Sequence, residues 1–179
     1  TGSASAETID LGTDTAADTL VFIGTTAATN GSDVVTSHKT ADVYDFSGVL
    51  TSGSIANTTA GTAITLATTG ALAAEGTSIA VADQEVYLVE VANTADIDAV
   101  ADIVTALTDT GVMDAVDVAA SSEVILIVGG ADADTTHYIY GINNDATAAV
   151  AAGEIALLAT VTTDVTGGMD GLITTNVVF

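Results

Sequence analysis

Glu123-Val124-Ile125-Leu126-Ile127-Val128-Gly129-Gly130-Ala131-Asp132, continuing into Thr136-His137-Tyr138-Ile139-Tyr140-Gly141-Ile142, is the stretch from which the fold class is read. Val124 to Val128 is apolar without alternation, the pattern of a strand covered on both faces. A second β-branched and aromatic run follows after a short Gly- and Asp-rich loop, which spells a β-hairpin. A hairpin strand buried on both faces needs a layer on each side of its sheet.

Working outward, Glu85-Val86-Tyr87-Leu88-Val89-Glu90-Val91 reads as another strand. Between it and the hairpin lies one helix. Asn93 is its expected N-cap, with Asp96 near the positive end. Ile97, Val100, Ala101, Val104 and Leu107 form one apolar face, Asp98 and Asp102 point away, and Gly111 is the expected stop. Downstream, 155–161 and 172–179 are strand candidates, and the Ala-rich 146–152 a helical turn or two. Upstream, 19–23 and 43–46 read as short strands ended by Gly24 and by Ser47-Gly48. Residues 51–82, rich in Thr, Ala, Gly and Ser, suit short strands or long decorated loops. Residues 1–18 read as a linker or incomplete edge. The expectation is one mainly β, sandwich-like domain over 19–179, with one or two packed helices and a sub-boundary near residue 83.

Charge sets the function classes. The 179 residues carry 24 Asp and Glu against one basic residue, Lys39, for a net charge of -23. A hydrophobic content of 49% and a mean hydropathy of +0.56 nevertheless give the chain enough apolar surface to fold. Phosphate and anionic-lipid binding are excluded, because both need Lys and Arg. Crowded carboxylates repel one another; a large surface, high salt or divalent cations can offset this. With no cysteine there is no disulfide or thiolate chemistry. With no proline, turns fall to Gly, Asn, Asp and Ser. No run approaches the ~20 apolar residues of a membrane span. Thr1 to Ser5 has neither a basic nor an apolar leader pattern, so the expectation is a removed signal or a longer chain exported another way.

The most specific motif is Asn143-Asn144-Asp145-Ala146-Thr147 with Glu154. Asn143, Asp145 and Thr147 occupy positions 1, 3 and 5 of a calcium loop. Ala149 offers a carbonyl at position 7, and Glu154 stands at position 12, where a bidentate carboxylate belongs. Position 6 is Ala148 rather than glycine, and position 1 is neutral. Gly129 to His137 partly matches the Gly-Gly-x-Gly-x-Asp nonapeptide of calcium β-rolls, with Asp132 and Asp134 as further oxygen ligands. Asp109-Thr110-Gly111 matches the aspartic-protease tripeptide in a single copy, and here reads as a helix stop. His38 and His137 lack metal-ligand spacing, and His137 is expected at a half-exposed sheet position, on the face opposite Tyr138 and Tyr140. Asn30-Gly31-Ser32 and Asn57-Thr58-Thr59 are glycosylation sequons. With no nucleophile elbow, phosphate loop or dinucleotide fingerprint, a non-enzymatic role is expected.

Two sets of residues resemble a known family. Asp18 to Phe22, Gly31 to Val35 and Asp42-Val43-Tyr44-Asp45-Phe46-Ser47-Gly48-Val49-Leu50 resemble the segment flanking the repeats of RTX-type secreted proteins. Tyr138 to Asp145, Glu154 to Leu157 and Thr175 to Phe179 resemble the C-terminus of haemolysin-like and surface-layer proteins exported by type I secretion. The tandem glycine-rich nonapeptides of the family are absent, and 51–128 carries no resemblance. The resemblance implies an extracellular, bacterial cell-surface protein whose folding and lattice assembly are driven by Ca2+. The expected function is therefore a calcium-stabilised structural module of a surface layer, fibre or matrix that associates with copies of itself. The rival expectation is an adhesin-type domain for a carbohydrate or cell-surface glycan, which the scarcity of aromatics disfavours.

Overall fold

A computed structural model describes residues 3–50, 54–55, 67–68, 79–81, 83, 85–91, 97–107, 116–130, 135–145, 149–163 and 177–179. Among the described residues the protein is mostly β, with mixed sheets and two helices. In chain order the elements are β1 (Thr8–Asp10), β2 (Thr19–Val21), α1 (Ala27–Asn30), β3 (Asp33–His38), β4 (Val43–Asp45), β5 (Ser54–Ile55), β6 (Ala67–Thr68), β7 (Ile79–Val81) and β8 (Glu85–Val91). These are followed by α2 (Val100–Ala106), β9 (Val116–Val118), β10 (Ser122–Gly130), β11 (Thr136–Asn144), a 3-10 turn at Ala152–Glu154, β12 (Ile155–Thr163) and β13 (Val177–Val178).

The central sheet runs β1-β3-β12-β11-β10-β8-β5, with β6 also on β8. Its middle is the hairpin the sequence predicts: β10 and β11 pair antiparallel from Ser122↔Asn144 to Gly129↔His137. The unbroken apolar run is explained by a core on each face. Ile125 and Ile127 join Val86, Leu88, Ile139 and Val161 in one core, beneath the small β13-β4-β2 sheet that supplies Leu20, Tyr44 and Val177. Val124, Leu126 and Val128 join Tyr87, Tyr140 and Ile142 in the other, closed by Ile97, Ile103 and Ala106 of the α2 region and by Val118 of β9. In β12 the register shifts opposite Ile139/Tyr140, making Leu158 an extra residue. This bulge flips the alternation, so Ile155 faces one core while Leu158, Ala159 and Val161 face the other.

The helix differs from its expected form. It starts at Val100 after Ala99, and Ile103 and Ala106 are its buried residues while Ala101 is exposed. The apolar face is broader than expected: Val100, Val104 and Leu107 pack against the core beside Ile103 and Ala106, while Ile97 precedes the helix and its carbonyl accepts the Tyr140 hydroxyl at 2.6 Å. Asn93, Asp96 and Gly111 lie outside the described residues, as do 146–148 of the Ala-rich stretch, whose last residue, Ala152, opens the 3-10 turn.

The N-terminal quarter is built differently. The chain alternates between sheets, with β1 and β3 parallel in the central sheet and β2 and β4 parallel in the small one. Each two-strand coil stacks on the next. Residues 3–18 make up the first coil, and β1 and β2 are the outermost strands of their sheets among the described residues. Gly31 has φ +78, and a Cβ there would strike the backbone of Ser5, so the N-terminal segment packs directly against this glycine.

Candidate functional site

Carboxylates that have almost no basic partners find backbone amides instead. In the turns, Asp10 accepts from Gly12 at 3.0 Å, Asp14 from Ala16 at 2.8 Å and Asp45 from Ser47 at 2.9 Å. These are Asx turns, made in a chain without proline. The amide of Gly12, then the Ser37 hydroxyl, holds Asp10 below the usual carboxylate range.

A second set links the coils. The Glu7 amide donates to Asp33 Oδ1 at 2.9 Å across 26 residues, and the Asp18 amide donates to Asp42 Oδ1 at 2.9 Å across 24. Each pair falls one residue before the matched strand registers Thr8↔Val34 and Thr19↔Val43. An acidic residue therefore precedes or begins each of the four strands, and the inner side chain caps the amide of its outer counterpart. Asp42 is buried, and its Oδ2 also accepts the Lys39 amide at 2.7 Å. Burial pushes the Asp33 carboxyl up; the Glu7 amide opposes this and the Glu7 charge adds to it.

The predicted calcium loop leaves β11 and returns at the 3-10 turn. Asn143, Asp145 and Ala149 are exposed. Glu154 reaches back across it: Oε1 accepts the Asp145 amide and Oε2 the Ala151 amide, both at 2.6 Å. The second bond is the side-chain half of a capping box. The residue assigned to position 12 therefore closes the loop at both ends. Thr147, Asp132, Asp134 and the Asp109 tripeptide lie outside the described residues. Sequence reasoning passed over Asn144, which is buried between its exposed neighbours. Its Nδ2 donates to the carbonyls of Val118 and Ala119 at 2.9 and 3.1 Å, and its Oδ1 has no partner among the described residues. Among the described residues no three His, Asp or Glu side chains converge on a common point.

One other reading is corrected. His137 is 3% exposed rather than half-exposed, and its Nε2 lies 2.5 Å from the Tyr44 hydroxyl. It faces away from Tyr138 and Tyr140 as expected, but that face is covered by the small sheet. The two histidines, distant in sequence, meet with ring centroids 5.8 Å apart. Asn30 is buried in the folded chain, accepting the Ile23 amide at 2.7 Å and donating to the Gly24 carbonyl, so its side chain closes a loop.

Comparison with known proteins finds no matching family model, no similar curated protein and no similar solved structure.

Proposed function

We propose that this chain is an extracellular structural module, stabilised by Ca2+ and associating with copies of itself in a surface layer, fibre or matrix. The observation that carries the reading is the ladder of in-register acidic residues ending at the two outer strands β1 and β2. Glu7 and Asp18 hold in the outer coil the positions that Asp33 and Asp42 hold in the inner one. Their carboxylates are placed to receive amides from a strand laid against β1 or β2, as the inner ones receive theirs. An exposed edge of this kind is a template for pairing. Stacking acids on acids raises a repulsion that a divalent cation offsets, and the loop from Asn143 to Glu154 presents oxygen side chains at calcium-loop spacing.

The edge is tested by Thr8→Pro. The Val34 amide donates to the Glu7 carbonyl and the Leu11 amide to the Thr36 carbonyl, so Thr8 and Asp10 turn their amides outward by the alternation of a parallel ladder. Proline at position 8 removes an outward donor and leaves the β3 pairing intact. The expected result is loss of calcium-dependent self-association in sedimentation velocity, with the thermal midpoint within about 2 °C of wild type. Unchanged association in a folded variant refutes the edge as the assembly surface.

The loop is tested separately with Glu154→Gln. Glutamine keeps one carbonyl acceptor but gives up the charge and one of the two amide bonds. Calcium affinity, followed by isothermal titration, is expected to fall at least about tenfold, in keeping with loss of a bidentate carboxylate. Affinity equal to wild type places the ion elsewhere.

A further inference from the structure

We propose that His38 and His137 form an acid-sensitive latch that fastens the small β13-β4-β2 sheet to the central sheet, and that protonating the pair opens this layer. The chain's only two histidines are brought together inside an otherwise apolar core. His38 is fully buried at the end of β3, His137 is buried in β11, and Tyr44 of β4 stands between the sheets. The His38 ring stacks on Tyr44 at 4.9 Å and 13°, and the His137 ring meets both edge-on at 5.8 Å. One small-sheet side chain is thus gripped by two imidazoles from the central sheet.

The backbone is bent to make this arrangement. Along β3, Asp33 and Val35 are buried by alternation, which would turn Ser37 inward and His38 out. Instead Ser37 takes φ +63, and the β12–β3 register shifts between Val161 and Thr163, which delivers His38 to the core. A serine in the left-handed region is a local strain that the surrounding structure must hold.

The hydrogen bonds fix both rings in the neutral form. Thr163 Oγ1 donates to the His38 carbonyl at 3.2 Å, so towards His38 Nδ1, 3.4 Å away, it acts as acceptor. His38 therefore carries its proton on Nδ1, and its Nε2 lone pair is buried without a partner among the described residues. The Tyr44 hydroxyl donates to His137 Nε2, since burial holds that phenol protonated. A proton arriving at either Nε2 puts a cation in the core, and at His137 it also breaks the bond to Tyr44. The charged groups nearby are few. Asp42 of the β3–β4 turn favours protonation of His38, but its oxygens are engaged by the Asp18 and Lys39 amides. Lys39 follows His38 directly, Tyr44 contributes no charge, β12 offers only Thr163, and each imidazole repels a proton on the other.

Burial lowers the His38 pKa, and burial with the neighbouring His38 pushes His137 down to about 3. For a histidine whose folded pKa lies below its unfolded value of 6.5, the unfolded form binds the proton. Stability is complete above pH 6.5 and is lost as pH falls towards the folded value. His137 raises the opening constant about tenfold per pH unit in that window, and His38 adds to this between pH 6.5 and its own lowered value.

The test follows the two imidazole resonances by NMR from pH 7.5 to 4, together with tyrosine near-UV circular dichroism and amide exchange of β4. The latch predicts that His137 does not titrate while the fold is intact. It protonates in step with loss of the tyrosine signal, and β4 exchange accelerates at least about tenfold per pH unit below 6.5 beyond its intrinsic dependence. Imidazoles that titrate near pH 6.5 in a folded protein overturn the proposal. So does an unchanged slope of β4 exchange in a folded His38→Phe/His137→Gln variant; if that variant does not fold, the wild-type titration decides alone.

Discussion

Gly141→Ala is expected to destabilise the domain by about 3 kcal/mol or more, and Gly141→Val to prevent folding. Gly141 is a buried residue in the middle of β11, pairing with Ile125 on one side and Ala156 on the other. The backbone of Thr25, in the loop between β2 and α1, lies directly on it. An added Cβ would meet the Thr25 carbonyl oxygen, with its carbonyl carbon at 2.7 Å and Cα at 2.8 Å. These atoms belong to a loop fixed from both sides: Thr25 Oγ1 reaches Glu123 at 3.3 Å and Asn30 ties the loop to Ile23. Neither a central strand nor this loop gives way without losing its hydrogen bonds. Urea unfolding monitored by tyrosine fluorescence measures the loss; a variant within about 1 kcal/mol of wild type contradicts the close approach.

The second large effect is expected at Asp42. Replacing it by alanine leaves the amides of Asp18 and Lys39 without the acceptors that now bind them at 2.9 and 2.7 Å. The first bond joins the two coils and the second closes the β3–β4 turn, and Asp42 is only 1% exposed, so water replaces the carboxylate poorly. Two unsatisfied donors cost about 3 kcal/mol, and for a chain of this size the melting midpoint falls by about 10 °C. Asparagine keeps one acceptor oxygen and is expected to recover about half. If Asp42→Ala melted with wild-type protein, the carboxylate–amide ladder would be ornamental, and the module reading would lose its main support.

The parts of the fold legible in the sequence are those where burial writes a pattern. Val124 to Val128 announced a strand with two covered faces because a core lies on each. Glu85 to Val91 was read to its boundaries for the same reason. The helix is legible in its apolar face but not in its start: Val100, Val104 and Leu107 pack against the core as the spacing predicts, whereas Ile97, buried in the same core, precedes the helix and accepts the Tyr140 hydroxyl with its carbonyl. β1 and β3 are nearly silent in composition. Thr8-Ile9-Asp10 is short and half polar, and its stability comes from parallel pairing and from the Asp33 cap, both set by residues about 25 positions away.

The candidate sites divide in the same way. Glu154 at a fixed distance from Asp145 was visible because a loop closes locally. The histidine pair is hidden because His38 and His137 stand on β3 and β11, strands far apart in sequence that only the sheet order brings near each other. A histidine in an apolar strand gives no hint of its partner. The one available signal was parity: in Thr136 to Ile142, position 137 lies on the same face as Ile139, a core residue. The acidic residues were legible as charge, but their use as amide caps depends on strand register.

The most direct measurement is a calcium titration of the chelated protein, with circular dichroism and sedimentation velocity recorded together and with magnesium and matched sodium chloride as controls. The account predicts that micromolar-to-millimolar calcium alone raises the melting midpoint and increases the sedimenting mass, and that Thr8→Pro keeps the first effect and loses the second. A protein whose melting and mass are indifferent to calcium, or respond equally to sodium chloride, contradicts the calcium-stabilised, self-associating module.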